Sequence, residues 1–218
     1  STSKIKKTED IMKILTMGFR GEALASIASI SDVELKTKTS KQTTGTLISI
    51  NNSKIKKNHA TSTKKGTSIS VKNLFFNIPA RKNFLKSDKI EMKHMLEVFI
   101  QLAISKNNIG FKLKHNEKNL YNLTPTNLKQ RIIQLFGKKY NEKVLPIKEE
   151  TSIVSINGFL GNPLDSKKTR GEQFLYVNNR FIKSGYLNHA IKSSMENIIS
   201  KEHHPSYFIF LKISPDLI

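Results

Sequence analysis

Apolar and polar positions change period several times along the chain, and each change predicts an element. Thr8, followed by Glu9 and Asp10 and then Ile11, Met12 and Leu15, has the cap, first-turn acids and apolar spacing of a short helix. An Ala-rich run predicts a second helix over residues 22–29. Val33, Leu35, Thr37 and Thr39 then alternate with charged residues, the period of a half-buried strand, and another strand is expected over 47–50. Residues 51–65 are polar and lysine-rich, which leaves a loose hairpin and a mobile connection both open. Gly66-Thr67 opens a strand with Ile69 and Val71 on one face, where the glycine permits a bend. Asn77-Ile78-Pro79-Ala80-Arg81 reads as a turn into a helix, because proline suits the first helical turn and pushes the residue before it out of the α region.

In the second half, Met92, Met95, Leu96, Phe99, Leu102 and Ala103 recur at helical spacing as a core stripe. Phe111 and Leu113, then Leu120 and Leu123, bracket a polar turn and predict a hairpin that closes a first domain. Thr124-Pro125-Thr126 is the expected boundary. Beyond it an amphipathic helix over 127–136 ends at Gly137. Strands are expected at 152–160 and 174–177, a helix at 186–200 and a strongly apolar strand at 207–213, with 161–171 as a surface loop. Strand, helix and strand in that order imply a crossover on an α/β sandwich. The expected organisation is two α/β domains, residues 1–123 and 124–218.

Composition adds a partner class. Thirty-seven Lys and Arg against 17 Asp and Glu give a formal charge of +20, which favours a polyanion. The chain is also rich in Asn and Ile, so part of the lysine excess is compositional, and charge alone leaves nucleic-acid binding open. The absence of cysteine excludes disulfides, thiolate metal sites and cysteine nucleophiles, and it fits an intracellular setting. Apolar runs are too short to span a bilayer, and the N-terminal residues lack the hydrophobic region of a secretory signal. With no initiator methionine, the chain is expected to be an internal piece of a longer protein.

The candidate chemistry begins at GFRGEAL, residues 18–24, where two glycines three residues apart precede a helix. Such a turn brings backbone N–H groups close to a phosphate, although a bare G-x-x-G is equally a tight turn. Glu22 is read as a first-turn acid stabilised by the helix dipole and not as a catalytic base. His203-His204 is adjacent and the other four histidines are scattered, so no metal-ligating or catalytic residue is assigned. Basic residues gather in two places: Arg81, Lys82, Lys86 and Lys89 around one helix entry, and Arg180, Lys183 and Lys192 along VNNRFIKSGYLNHAIK. Each of these is also readable as a solvated cation on a helix face.

GFRGEALASI, GTSISV, LFFNIPARKNFL and FLYVNNRFIKSGYLNHAI, in that order, resemble the MutL family of DNA mismatch-repair ATPases within the GHKL superfamily. The resemblance implies an α/β (α+β) fold: a partial GHKL ATPase sandwich followed by a smaller α/β domain like the ribosomal-protein-like second domain of GHKL proteins. It makes GFRGEAL a nucleotide lid, with Arg20, Gly21, Glu22, Ala23 and Leu24 facing the phosphates, and places Thr67 near the adenine. As the opening residue of a strand, Thr67 also needs no function.

In the family, the water-positioning glutamate, the metal-positioning asparagine and the adenine-binding aspartate precede the residues matched here, and a lysine loop follows them. ATP and Mg²⁺ are therefore expected in the intact parent, and this stretch alone is expected to be inactive. The implied partners are duplex or single-stranded DNA without sequence preference, a mismatch-recognition protein of the MutS type and a second parent copy on ATP binding. No membrane is implied, and the setting is the bacterial cytoplasm and nucleoid. PARKNF replaces the usual PARRKF, and NNR the usual NGR. Two other readings stay open: a non-catalytic basic nucleic-acid-binding module, and another GHKL ATPase such as a topoisomerase subunit. The PAR helix entry and the VNNRF segment favour MutL over the latter.

Overall fold

The computed structural model describes residue 18 and residues 21–214, and the helix expected after Thr8 lies outside them. The chain divides into two compact units, residues 1–91 and 92–218.

In the first unit, helix α1 (Ala23–Ser29) leads into four strands, β1 (Asp32–Lys38), β2 (Gly45–Asn51), β3 (Lys54–Thr61) and β4 (Gly66–Lys72), and then the short helix α2 (Pro79–Asn83). The sheet is antiparallel throughout, in the order β3-β2-β1-β4. Its register sets Val33 opposite Ile50 and Val71, and Leu35 opposite Ile48 and Ile69, so these apolar side chains share one face. Val33 is buried, whereas Ile69 and Val71 are half exposed. Of the two possibilities for residues 51–65, the hairpin is realised. Asn52 and Ser53 turn it with φ of 48° and 61°, the left-handed pair whose twist matches antiparallel strands.

The second unit takes up helix α3 (Asp88–Ser105) from Met92 onward. It continues through the hairpin β5 (Phe111–His115) and β6 (Lys118–Leu123), then α4 (Leu128–Phe136) and α5 (Tyr140–Lys143). Strands β7 (Val144–Glu150), β8 (Val154–Gly161), β9 (Gln173–Val177) and β10 (Arg180–Phe181) follow, then α6 (Gly185–Ser193) and β11 (Tyr207–Ile213). The five-stranded sheet runs β10-β9-β11-β8-β7. β9 and β11 are parallel, and α6 lies between them in the chain as the crossover expected from the sequence. One apolar cluster joins Ala103, Ile104, Leu123, Ile132, Leu135, Tyr140, Tyr176 and Phe208, with Phe174 stacked on Phe208 at 5.5 Å and Tyr176 on Phe210 at 4.5 Å. A second sets Leu175, Tyr207 and Ile209 against Leu187 and Ile191 of α6. Both faces of this sheet are therefore covered.

The packing division falls between Glu91 and Met92, not at the Thr124–Thr126 connection. The reason is visible in the core. Ala103 and Ile104 of α3 and Leu123 of β6 pack with Ile132 of α4, so helix and hairpin share the apolar cluster of the second sheet. Arg131 fastens the arrangement. It is fully buried, and its Nη2 donates to the carbonyls of Asn107 at 2.9 Å, Ile109 at 2.6 Å and Thr124 at 3.1 Å. Its guanidinium lies 5.5 Å from the Phe111 ring centroid.

Other details differ from expectation. Met95 leaves the apolar stripe and is 57% exposed. β7 has no expected counterpart, since Pro146 and three charges obscure it; proline is tolerated there because β7 is an edge strand. α6 ends at Ser193, where turns replace the longer helix expected. The 161–171 loop holds a 3₁₀ turn at Pro163–Asp165 and a single bridge between Lys167 and His204.

Replacing Arg131 with Met keeps an apolar stem of similar reach but takes the side-chain donor from the Ile109 and Thr124 carbonyls, while Asn107 keeps the N–H of Thr126 at 2.9 Å. Arg131→Met is expected to destabilise the chain by about 1–3 kcal/mol, the cost of leaving polar groups without their partner. Urea unfolding of the two proteins measures this, and a change below about 1 kcal/mol contradicts the role given to Arg131.

Candidate nucleotide lid and basic surfaces

Of the segment GFRGEAL, expected to be a lid, Phe19 and Arg20 lie outside the described residues. Gly21 and Glu22 form the turn into α1, and residues 21–27 are exposed. Glu22 adopts a helical backbone and makes no side-chain capping bond, so α1 begins with a first turn that no side chain of its own cap closes. Ser26 N–H donates to the Glu22 carbonyl at 2.9 Å, the first bond of the helix.

The other end of α1 is held firmly. Ser53 N–H reaches the Ala28 carbonyl at 3.2 Å, Asn77 Nδ2 the Ser29 carbonyl at 2.8 Å and Phe75 N–H the Ile30 carbonyl at 2.7 Å. Ser31, itself buried, donates its hydroxyl to the Ile27 carbonyl at 2.6 Å. Carbonyls that a helix end leaves without intrahelical partners are thus satisfied by the β2–β3 turn and by the LFFN loop after β4. Phe75 reaches its position with φ of 62°, a conformation unfavourable for an aromatic residue and retained where surrounding contacts determine it. Asp32 braces the same loop, accepting from Asn73 Nδ2 at 2.6 Å and from Asn51 Nδ2. Asn77 and Phe75 thereby position α1, a task the sequence reading did not give them. The available signal was an Asn immediately before Ile-Pro, read there only as a turn.

Thr67 opens β4 opposite Thr37, and the two hydroxyls share a 2.8 Å hydrogen bond across the strands. A threonine hydroxyl both donates and accepts, so one further bond is available to it.

The basic residues fall into two sets in two units. Arg81 and Lys82 are on α2, Lys86 in the connection after it and Lys89 in the first turn of α3, all exposed. The Lys86 N–H donates to Glu91 Oε1 at 2.9 Å, fixing the entry to α3. In the second unit Arg180 is half-buried in β10, Lys183 is exposed just after it, and Lys192 lies in the last turn of α6 with Nζ donating to the Lys201 carbonyl at 2.9 Å. Among the described residues no group of three or more His, Asp or Glu side chains is placed to hold a metal ion, and no helix is long and apolar enough to cross a membrane.

Comparison with known proteins defines the class. Solved structures that share the fold include the Aquifex aeolicus MutL ATPase domain complexed with ADP, with a TM-score of 0.71 at 22% identity over 96% of this chain and 76% of that one. The N-terminal domain of a DNA repair protein matches with a TM-score of 0.77 at 23% identity, over 94% of this chain and 67% of that one. The B-subunit of DNA gyrase from Myxococcus xanthus is more distant, with a TM-score of 0.52 at 7% identity over 97% of this chain and 69% of that one. The fold is that of the GHKL ATPase region. Residues 132–218 match the family model described as DNA mismatch repair protein, C-terminal domain.

The DNA mismatch repair protein MutL of Christiangramia forsetii is 51% identical over all 218 residues, and that of Flavobacterium psychrophilum 50% over the same span. The chain belongs to the MutL family. It spans about a third of the length of these relatives, 35% and 36% respectively.

If Asn77 holds the end of α1, Asn77→Ala removes its bonds to the Ser29 carbonyl and to Asn52 Oδ1, the latter at 3.2 Å. The expected result is a loss of about 1 kcal/mol, concentrated in α1. Amide hydrogen exchange checks it: protection of Ile27–Ser31 should fall while that of β11 is unchanged.

Proposed function

We propose that the chain is part of the ATP-binding, ATP-hydrolysing head of a mismatch-repair protein that closes on nucleotide, pairs with a second copy and coordinates repair on DNA. The observation that carries this reading is the 51% identity to a MutL protein across the whole chain. The fold shared with an ADP-complexed MutL ATPase domain supports it. Arg20, Gly21, Glu22, Ala23 and Leu24 would close over the nucleotide phosphates, and the exposed, uncapped first turn of α1 suits that task. Thr67 would border the base with the hydrogen-bonding capacity that Thr37 leaves it.

ATP supplies the reacting phosphoryl group. The donor set described in this chain would not hold Mg²⁺ by itself, so the ion would be bound through the nucleotide phosphates and residues outside this chain. Arg81, Lys82, Lys86, Lys89, Arg180, Lys183 and Lys192 would meet DNA phosphates, which position a protein on nucleic acid without reading sequence. A MutS-type mismatch-recognition protein is the expected partner, in the bacterial cytoplasm at the nucleoid. The reading as a topoisomerase or gyrase subunit is weaker, because those solved structures reach TM-scores of only 0.50 and 0.52.

A segment exchange tests the function. With these 218 residues replacing the matching part of the C. forsetii protein, the chimera should restore a low spontaneous mutation rate to a strain lacking its own copy. A rate as high as that of the uncomplemented strain overturns the reading.

DNA contact is tested on the chain itself by fluorescence anisotropy with duplexes of different sequence across a salt series. Affinity should be similar for all duplexes, and its logarithm should fall with log salt at a slope of about −0.9 per phosphate contacted. Arg180→Glu or Lys192→Glu should weaken binding and flatten the slope, while Lys56→Glu on the exposed edge strand β3 should do less. Salt-insensitive binding, or equal effects of all three changes, removes the assigned contacts.

A further inference from the structure

Beside α6 in the second unit is a cleft of about 240 Å³ lined by Arg170, Gln173, Asn188, His189, Lys192 and His204, with Gly185 at its edge. Four of these side chains are cationic or can become so, and no carboxylate lines the cleft. The acids of the flanking segments are engaged elsewhere. Glu172 accepts from Ser206 Oγ at 3.2 Å and pairs with Lys167 at 3.4 Å, and Glu202 pairs with Lys168 at 3.6 Å.

We propose that this cleft is a phosphate-binding site for a phosphodiester of the DNA backbone, with Arg170 and Lys192 as its fixed charges and the imidazoles of His189 and His204 beside them. The inference rests on the reading that the chain touches DNA and adds to it a built site with named donors.

Three observations carry it. The frame is rigid: Lys167 and His204 exchange backbone hydrogen bonds of 2.7 and 3.3 Å, joining the 167–171 loop to the segment before β11. The donors are aimed: Tyr207 donates its hydroxyl to Asn188 Oδ1, which leaves the amide Nδ2 of Asn188 to donate, and Lys192 uses one of its three donors on the Lys201 carbonyl. Like charges converge: burial first, and then Lys192 from α6, Arg170 from the loop and the adjacent His203, hold His204 below the ordinary histidine range. Lys167 stands opposite His204 across the bridge with its charge partly met by Glu172. An anion in the cleft would offset this mutual repulsion. Its binding must then favour the protonated imidazole, so affinity for phosphate rises as pH falls. A planar carboxylate satisfies fewer such spread donors than a phosphate with its tetrahedral oxygens.

Two probes on the whole chain test the site. Inorganic phosphate, against chloride at equal ionic strength, should raise the titration midpoint of the His204 imidazole read by NMR, and Arg170→Gln should abolish the rise. For a labelled duplex, anisotropy should show affinity increasing from pH 7.5 to 5.5, by up to about tenfold for each unit by which binding raises the His204 pKa. The double variant His189→Gln/His204→Gln should lose that increment. Gly185→Asp should weaken duplex binding at both pH values and leave the fold intact, because a Cβ at Gly185 meets nothing within 4 Å.

A His204 shift with phosphate but no binding of duplex supports the site and identifies free phosphate as its ligand, so that the DNA reading fails and the cleft stands. Duplex binding that is indifferent to Arg170→Gln, Gly185→Asp and the histidine variant, with no phosphate shift, overturns the cleft and leaves the DNA reading in place.

Discussion

The second unit depends on one buried guanidinium. Arg131 has no carboxylate partner among the described residues; it is held by three backbone carbonyls, from the end of α3, the start of the hairpin and the connection into α4. Residues 107 and 109 lie before the hairpin and Thr124 after it, so a single donor ties the two ends of the hairpin together, beside the Thr126 N–H that also reaches the Asn107 carbonyl. All three bonds come from one end of the fork, Nη2, while Nε and Nη1 are buried with no hydrogen-bond partner among the described residues, and burial lowers the affinity of the group for its proton. The Phe111 ring beside it adds a face for the cation and shuts out water. Helix, hairpin and second helix become one layer on the sheet, and this is why the compact division falls before α3 ends and not after the hairpin.

A related principle governs the first unit with the opposite outcome at the two ends of one helix. The C-terminal carbonyls of α1 are taken up by Ser53, Phe75 and Asn77, whereas its first turn has no cap and is exposed. A short helix of seven residues has little stability alone, so its persistence comes from these tertiary bonds. The anchored end fixes where the helix sits, and no side chain of Glu22 caps the other. Strain at Phe75, with φ of 62°, is part of what that placement costs.

Much of this was legible from pattern alone, for reasons that differ by element. β11 is a run of apolar residues buried between two covering layers, and it was placed at its observed limits, 207–213. α4 carried its own punctuation: Asn127 caps Gln130 N–H at 2.9 Å and Gly137 ends the helix with φ of 96°. β7 was missed because an edge strand needs neither alternation nor the absence of proline. The Thr-Pro-Thr punctuation is local, while the compact division depends on which core claims Ala103, Ile104 and Leu123. The tie from Asn77 to Ser29 spans 48 residues and leaves no local period to read.

Charge illustrates the same limit from the other side. A net charge of +20 does not say which lysines matter, because a cation can serve several physical ends. Lys54, Lys56 and Lys57 are exposed on β3, an edge strand, where charge discourages pairing with another chain's strand. Arg170 and Lys192 instead converge with two histidines on one cleft that no carboxylate lines. The first group gains from being spread through solvent, where repulsion is screened over about 10 Å. In the second, burial first and then the charges of Lys192, Arg170 and the adjacent His203 hold His204 below the ordinary histidine range. Convergence without a counter-charge, and not the total of basic residues, therefore separates a surface arranged for an anion from one that is merely rich in lysine.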